Sequence, residues 1–143
     1  MLVSQILRTK GDSVFTVGPN ETVGSASALL HSRRVGALVV LDEADQVVGI
    51  VSERDVVRVV AEAGAGGLGQ PISACMSKGV VFAEPNEQVD ALLTRMTDRR
   101  IRHLPVCRDK RLVGIVSIGD LVKAKIAEAE AETEGLKNYI AAG

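Results

Sequence analysis

Apolar positions fall into two runs with the same rhythm. In each, an apolar-spaced stretch (residues 3–8; 72–77) predicts a short helical leader, and a brief β-branched segment (14–17; 80–83) predicts extended chain. Pro19-Asn20 and Pro85-Asn86 then signal a turn and a helix start, with Asn20 and Asn86 as the expected N-caps. Apolar residues next recur at helical spacing: Val23, Ala26, Leu29 and Leu30 in the first run, Val89, Leu92, Leu93 and Met96 in the second. Arg33-Arg34 and Arg99-Arg100 end these helices, where cations suit the dipole. Two apolar strands follow in each run, 35–41 with 47–52 and 101–107 with 112–117, joined by charged turns that predict hairpins. Helices over 53–63 and 118–134 close the runs.

The two runs are copies. VFTVGPNETV (14–23) matches VVFAEPNEQV (80–89) at an offset of 66, and after one residue drops out VVGIVSERDVV (47–57) matches LVGIVSIGDLV (112–122) at 65. The order is β-α-β-β-α, twice. A unit of about 50 residues cannot cover both faces of its own sheet. The expected fold is therefore α/β, of the α+β kind, with two units packed sheet to sheet about a pseudo-twofold axis. The expected divisions are 1–63, a Gly-rich linker at 64–70, 71–125, and a helix extension and tail at 126–143. Gly135 should break the last helix, leaving Leu136, Tyr139 and Ile140 as an apolar tag that folds back or meets a partner.

Composition narrows the function. Apolar residues are 46% of the chain but aromatics only 2%, so the core is aliphatic and a base-stacking platform is excluded. With 17 basic and 18 acidic residues the net charge is -1, and no global field exists to hold nucleic acid. No apolar run spans a bilayer and the start does not read as a secretory signal, so a cytoplasmic protein is expected, with no membrane partner. Cys75 and Cys107 form no CxxC and no metal spacing; both read as small buried apolar residues. Gly64–Gly69 matches GxGxxG literally but follows a helix and runs into Gln70-Pro71, the wrong context for a dinucleotide fingerprint, so it reads as a flexible linker. No catalytic constellation appears, and an enzyme is not expected.

Ser52-x-x-Asp55 and Ser117-x-x-Asp120 stand at the start of the closing helices. Each reads as a capping box, or as a ligand site at a helix start with free N–H groups; the two are compatible.

The paired G-I-V-S-x-x-D motifs (49–55; 114–120), with a Pro-headed helix and the strand VGALVV or IRHLPV before each, resemble the cystathionine-β-synthase (CBS) domain pair, including the regulatory module of inosine-monophosphate dehydrogenase. The resemblance implies a module that needs no cofactor and senses AMP, ADP, ATP, NAD or, alternatively, S-adenosylmethionine in the clefts between the units. It implies that Asp55 and Asp120 accept hydrogen bonds from ribose hydroxyls, since a carboxylate offers two acceptors to two donors, with Ser52 and Ser117 beside them. It places phosphate on Arg102, where the first copy has Gly36, and adenine on the backbone of Thr16-Val17, Val81-Phe82 and Ala37. Arg102 and His103, read as neighbours in one strand, face opposite ways; a solvated Arg102 and a structural or interface His103 are the plainer readings. Arg54 opposes the dipole of its helix, which suggests an anionic neighbour, a phosphate or Glu53. The family also implies a homodimer through exposed helices. The competing function is an interaction adaptor for an unidentified protein, with structural clefts.

Overall fold

The computed structural model describes residues 1–11 and 14–142; Asp12, Ser13 and Gly143, the last of these the end of the expected tail, lie outside the described residues. The fold is α+β with small sheets. Its elements are α1 (Val3–Lys10), β1 (Thr16–Val17), α2 (Val23–Arg33), β2 (Ala37–Leu41), β3 (Val47–Ser52), α3 (Glu53–Ala63), 3-10 turns at Gly64–Gly69 and Ile72–Ala74, α4 (Val89–Arg99), β4 (His103–Arg108), β5 (Arg111–Ser117) and α5 (Ile118–Ala142). The chain divides into a continuous unit, Ser13–Val81, and a composite unit, Met1–Asp12 with Phe82–Gly143.

This division differs from the expected 1–63 and 71–125, because each leader folds onto the turn of the other copy. In the composite unit Val3 N donates to Glu87 O, Ser4 N to Pro85 O, and Val89 N to Met1 O. In the continuous unit Ile72 N donates to Glu21 O, Ser73 N to Pro19 O, and Val23 N to Gln70 O. The same three bonds recur, and they satisfy amide groups that the short leaders and helix starts cannot satisfy themselves.

The expected linker is also ordered. Its 3-10 turn packs on α2 and α3, and a Cβ on the buried Gly67 would lie 2.7 Å from Val59 Cγ1. Close packing, rather than looseness, accounts for glycine there.

Helices α2 and α4 start after Asn20 and Asn86, which sit in the preceding turns; the N-caps are Thr22, whose hydroxyl accepts from Ser25 N at 3.0 Å, and Gln88. Both helices end on an arginine in the left-handed region, Arg34 and Arg100. Val35 N then reaches back to Leu30 O and Ile101 N to Met96 O, six-residue closures that tie up these amides. That is why β2 and β4 begin two residues later than the expected 35 and 101.

In the continuous unit β1 pairs parallel with β2, and β2 antiparallel with β3. In the composite unit β4 and β5 form the matching hairpin, but the expected strand near 80–83 is reduced to one bridge, Ala83 with Val106. The cause is Pro105. Its counterpart, Val39, donates its N–H to Phe15 O, and proline has none to donate. The missing residue of the second copy lies in the hairpin turn, so both hairpins keep the same bulge, at Val40/Leu41 and Val106/Cys107.

The aliphatic core of the continuous unit centres on Val17, Val23, Leu30, Leu38, Val51 and Ile72; Val3, Leu92, Met96, Leu104, Val116 and Leu121 fill the composite unit. Helix α5 runs through Gly135 without a break, contrary to expectation. No helix among the described residues is long and apolar enough to cross a membrane.

Candidate ligand-binding site

In the composite unit the hairpin β4-β5 opens with His103 opposite Ser117, and Ile118 N donates to Arg102 O at 2.8 Å. The chain turns directly from β5 into α5, so Asp120 falls in the first helical turn. Its Oδ2 accepts from Ser117 N at 2.8 Å, and Ser117 Oγ accepts from Asp120 N at 3.1 Å. The capping box is thus complete. A third group joins from far away in sequence: Lys10, at the end of α1, donates Nζ to Asp120 Oδ2 at 2.6 Å and to Ile115 O at 2.8 Å. Burial works against ionisation of Asp120, but the Lys10 ammonium and the Ser117 donors more than offset it and hold the carboxyl below its ordinary value. The bonds that the carboxylate accepts, from Ser117 N and Lys10, both fall on Oδ2; Oδ1 has no partner among the described residues.

The continuous unit repeats the frame with different company. Ala37 pairs with Ser52, and Glu53 N donates to Gly36 O at 3.1 Å. Asp55 Oδ2 accepts from Ser52 N at 2.8 Å and from Ser52 Oγ at 3.2 Å. Its Oδ1 is taken by Arg58, at 3.1 Å, which also donates to Cys75 O. The Asp55 side chain is 6% exposed, while the Asp120 side chain is 25% exposed. The two carboxylates therefore share a backbone position but not their availability.

Arg102 is exposed in a bend just before β4 rather than inside the strand, so alternation does not set it against His103. It nonetheless sits beside the Ser117–Asp120 turn through its own carbonyl. His103 is partly buried as the first residue of β4. Arg54 is exposed on the first turn of α3, with no carboxylate partner among the described residues. Thr16 is exposed and Val17 buried on β1; Val81 is partly buried in the continuous unit. Phe82 belongs to the composite unit, and its carbonyl already accepts from Arg95 at 2.9 Å, where Arg95 is ion-paired with Glu87. The structure thus gathers Arg102, His103, Ser117 and Asp120 at one hairpin end, and Ala37, Ser52, Arg54 and Asp55 at the other.

Sequence reasoning missed Lys10, Arg58 and Arg95. Arg58 follows Asp55 at helical spacing and was findable that way. Nothing local marks Lys10. Cys75 is buried and Cys107 partly so; both are free thiols whose pKa burial raises. No cluster of three or more His, Cys, Asp or Glu fit for a metal occurs among the described residues.

Known proteins resemble the chain in fold or in sequence. A CBS-domain containing protein from Agrobacterium tumefaciens superposes with a TM-score of 0.84 at 46% identity, covering 87% of this chain and 92% of that one. The CBS domain pair of protein MJ0100, solved with 5'-methylthioadenosine and S-adenosyl-L-methionine, superposes with a TM-score of 0.80 at 26% identity, covering 90% and 98%. The mitochondrial CBS domain-containing protein CBSX3 of Arabidopsis thaliana is 33% identical over 149 residues, 99% of this chain and 72% of that protein. Inosine-5'-monophosphate dehydrogenase of Methanocaldococcus jannaschii is 31% identical over 113 residues, 78% of this chain and 22% of the enzyme. The family model for the CBS domain matches twice, at residues 3–62 and 72–127, and the chain is a member of the CBS domain family.

Proposed function

We propose that this CBS pair is a regulatory module that binds an adenine nucleotide, AMP, ADP, ATP or NAD, and performs no chemistry of its own. The observation that carries the reading is Asp120, a partly exposed carboxylate held in its charged form beside Ser117 and the Arg102 backbone, with Oδ1 unpartnered among the described residues. A vicinal diol offers two O–H donors to such a group, and Arg102 supplies a cation for phosphate. The MJ0100 pair, solved with two adenosine-containing ligands, supports the ligand class. Asp55 and Ser52 form a second, more closed version. The module works as a homodimer in the cytoplasm. Exposed Val57 and Val122, equivalent positions on α3 and α5, suit self-association, and two unpaired thiols suit a reducing compartment.

Acid release of small molecules from purified protein, read by mass spectrometry, should yield an adenine nucleotide. Added AMP, ATP or NAD should raise the melting temperature: at 100-fold over Kd, mass action adds about 2.7 kcal/mol, or on the order of 5 °C. If none of these nucleotides shifts unfolding at millimolar concentration while S-adenosylmethionine does, the ligand is that sulfonium. If nothing shifts it, the adaptor reading replaces the sensor.

A further inference from the structure

Helix α5 is longer than its packing requires. Leu121 and Ala124 are its buried residues, and from Ala129 to Ala142 every position is exposed. Along this stretch Val122, Ile126, Ala129, Thr133, Leu136 and Ile140 follow one another at intervals of 4, 3, 4, 3 and 4, and all six are exposed. At about 100° per residue they share one side of the helix, roughly 130° round from Leu121 and Ala124. A stripe averaging 3.5 residues per turn is the spacing with which one helix winds about a second.

The flanking charges choose the partner. Lys123, Glu130 and Lys137 border the stripe on one side, and Lys125, Glu132 and Tyr139 on the other. If a second copy of α5 lies parallel and in register, Lys125 meets Glu130 of the partner subunit and Glu132 meets Lys137 of the partner subunit. An antiparallel pair centred on residue 131 would stack the same apolar layers, but it would set Glu130 and Glu132 each against its own copy and Lys123 against Lys137 of the partner subunit. Lys125 already pairs with Asp90 at 2.9 Å and with Glu128 at 3.7 Å, so Glu132 with Lys137 is the discriminating contact.

We propose that α5 is a parallel, in-register dimerisation helix whose occupant is the same helix of a second copy. The proposal rests on the homodimer reading above and specifies where and in which orientation the copies meet. Small Ala129 and Thr133 at its middle, with Gly135 close by, make the seam one that dilution reverses.

Full-length Leu136→Cys, oxidised mildly, tests the orientation. Parallel copies bring the two thiols together and give a covalent dimer. In the antiparallel pair these positions lie ten residues apart along the axis, about 15 Å, beyond the roughly 7 Å between Cα atoms that a disulfide spans. Wild type is the control for Cys75 and Cys107. Light scattering on Ile126→Glu/Leu136→Glu should show a monomer with wild-type circular dichroism, whose melting temperature no longer rises with protein concentration. Glu132→Lys should move the monomer–dimer midpoint to higher concentration, and adding Lys137→Glu should move it back. A dimer that survives Ile126→Glu/Leu136→Glu and does not cross-link through Leu136→Cys overturns the seam while leaving the homodimer reading intact. Cross-linking only in a mixture of Ile126→Cys and Leu136→Cys chains overturns the parallel orientation. A wild type that is monomeric at every concentration overturns both readings.

Discussion

Asp55 and Asp120 occupy one position of the repeat, yet their neighbours give them different work. Asp55 spends both oxygens, on Ser52 and Arg58, in a buried setting. Asp120 spends one oxygen on Ser117 and Lys10 and keeps an exposed edge. On the nucleotide reading, Asp120→Ala should therefore weaken binding about ten- to a hundredfold, the loss of roughly 1.5–3 kcal/mol of charge-assisted hydrogen bonds. Asp55→Ala should weaken it less and instead lower stability, because it strands the Ser52 amide and removes the ion partner of Arg58. Arg102→Ala should hurt AMP far more than adenosine. Calorimetry on the three variants reads these differences, and equal effects of the two Asp changes would mean equivalent sites. Lys10 supplies a pH test. The Asp120 carboxyl is lower in the folded protein than unfolded, despite burial, because Lys10 and Ser117 favour its charged form. Such a group adds stability above its unfolded pKa, and that stability is lost as the pH falls through the folded value. Lys10→Met should thus melt below wild type at neutral pH, by an amount worth about 1 kcal/mol or less for a partly exposed pair. The gap should close in acid; a gap that widens there would contradict the pairing.

At the scale of elements, each leader lies against the glycine of the other copy's hairpin. Met76 and Ser77 cover Gly49, and Leu7 covers Gly114. A Cβ on Gly49 would come within 2.6 Å of Met76 Sδ and 2.9 Å of Ser77 O, which is backbone. On Gly114 it would meet only the tip of Leu7, at 2.8 Å. Overpacking costs about 1–3 kcal/mol where nothing can yield. Denaturant unfolding should show Gly49→Ala near that loss and Gly114→Ala well below it, since a leucine tip can turn aside. Equal losses would place the resistance in the hairpins themselves. The repeat and its hairpins were legible as patterns because apolar alternation and helical spacing are local. The short strand at Ala83 was not, because it depended on the partner residue Pro105 lacking an N–H.

At the scale of the whole molecule, the composite unit begins with eleven described residues that lie far in sequence from the rest of it. Deleting residues 1–11 removes the donors to Glu87 O and Pro85 O, the acceptor for Val89 N, the cover on Gly114 and the Lys10 partner of Asp120. Hydrogen exchange on the truncated chain should show α4 and β5 losing protection first, with β2 and β3 of the continuous unit retaining theirs. Loss of protection spread evenly over both units would mean that they unfold as one.

The residues that open each closing helix were readable directly, because a Ser and an Asp three apart meet within one turn whatever surrounds them. The order β-α-β-β-α followed from spacing in the first copy and, except for its first strand, in the second; the CBS family was legible as a resemblance carried by the paired G-I-V-S-x-x-D motifs. Tertiary structure alone decided which leader joined which unit, since the two leaders resemble each other and either could meet either Pro-Asn-Glu turn. It decided that 64–69 packs where composition suggested a loose linker, because Gly67 is required by the approach of Val59. It also decided that Lys10 joins Ser117 in favouring the charged form of Asp120: 110 residues separate Lys10 from Asp120, and no periodicity reaches that far, whereas a folded helix end and a hairpin end need only come within a hydrogen bond's length.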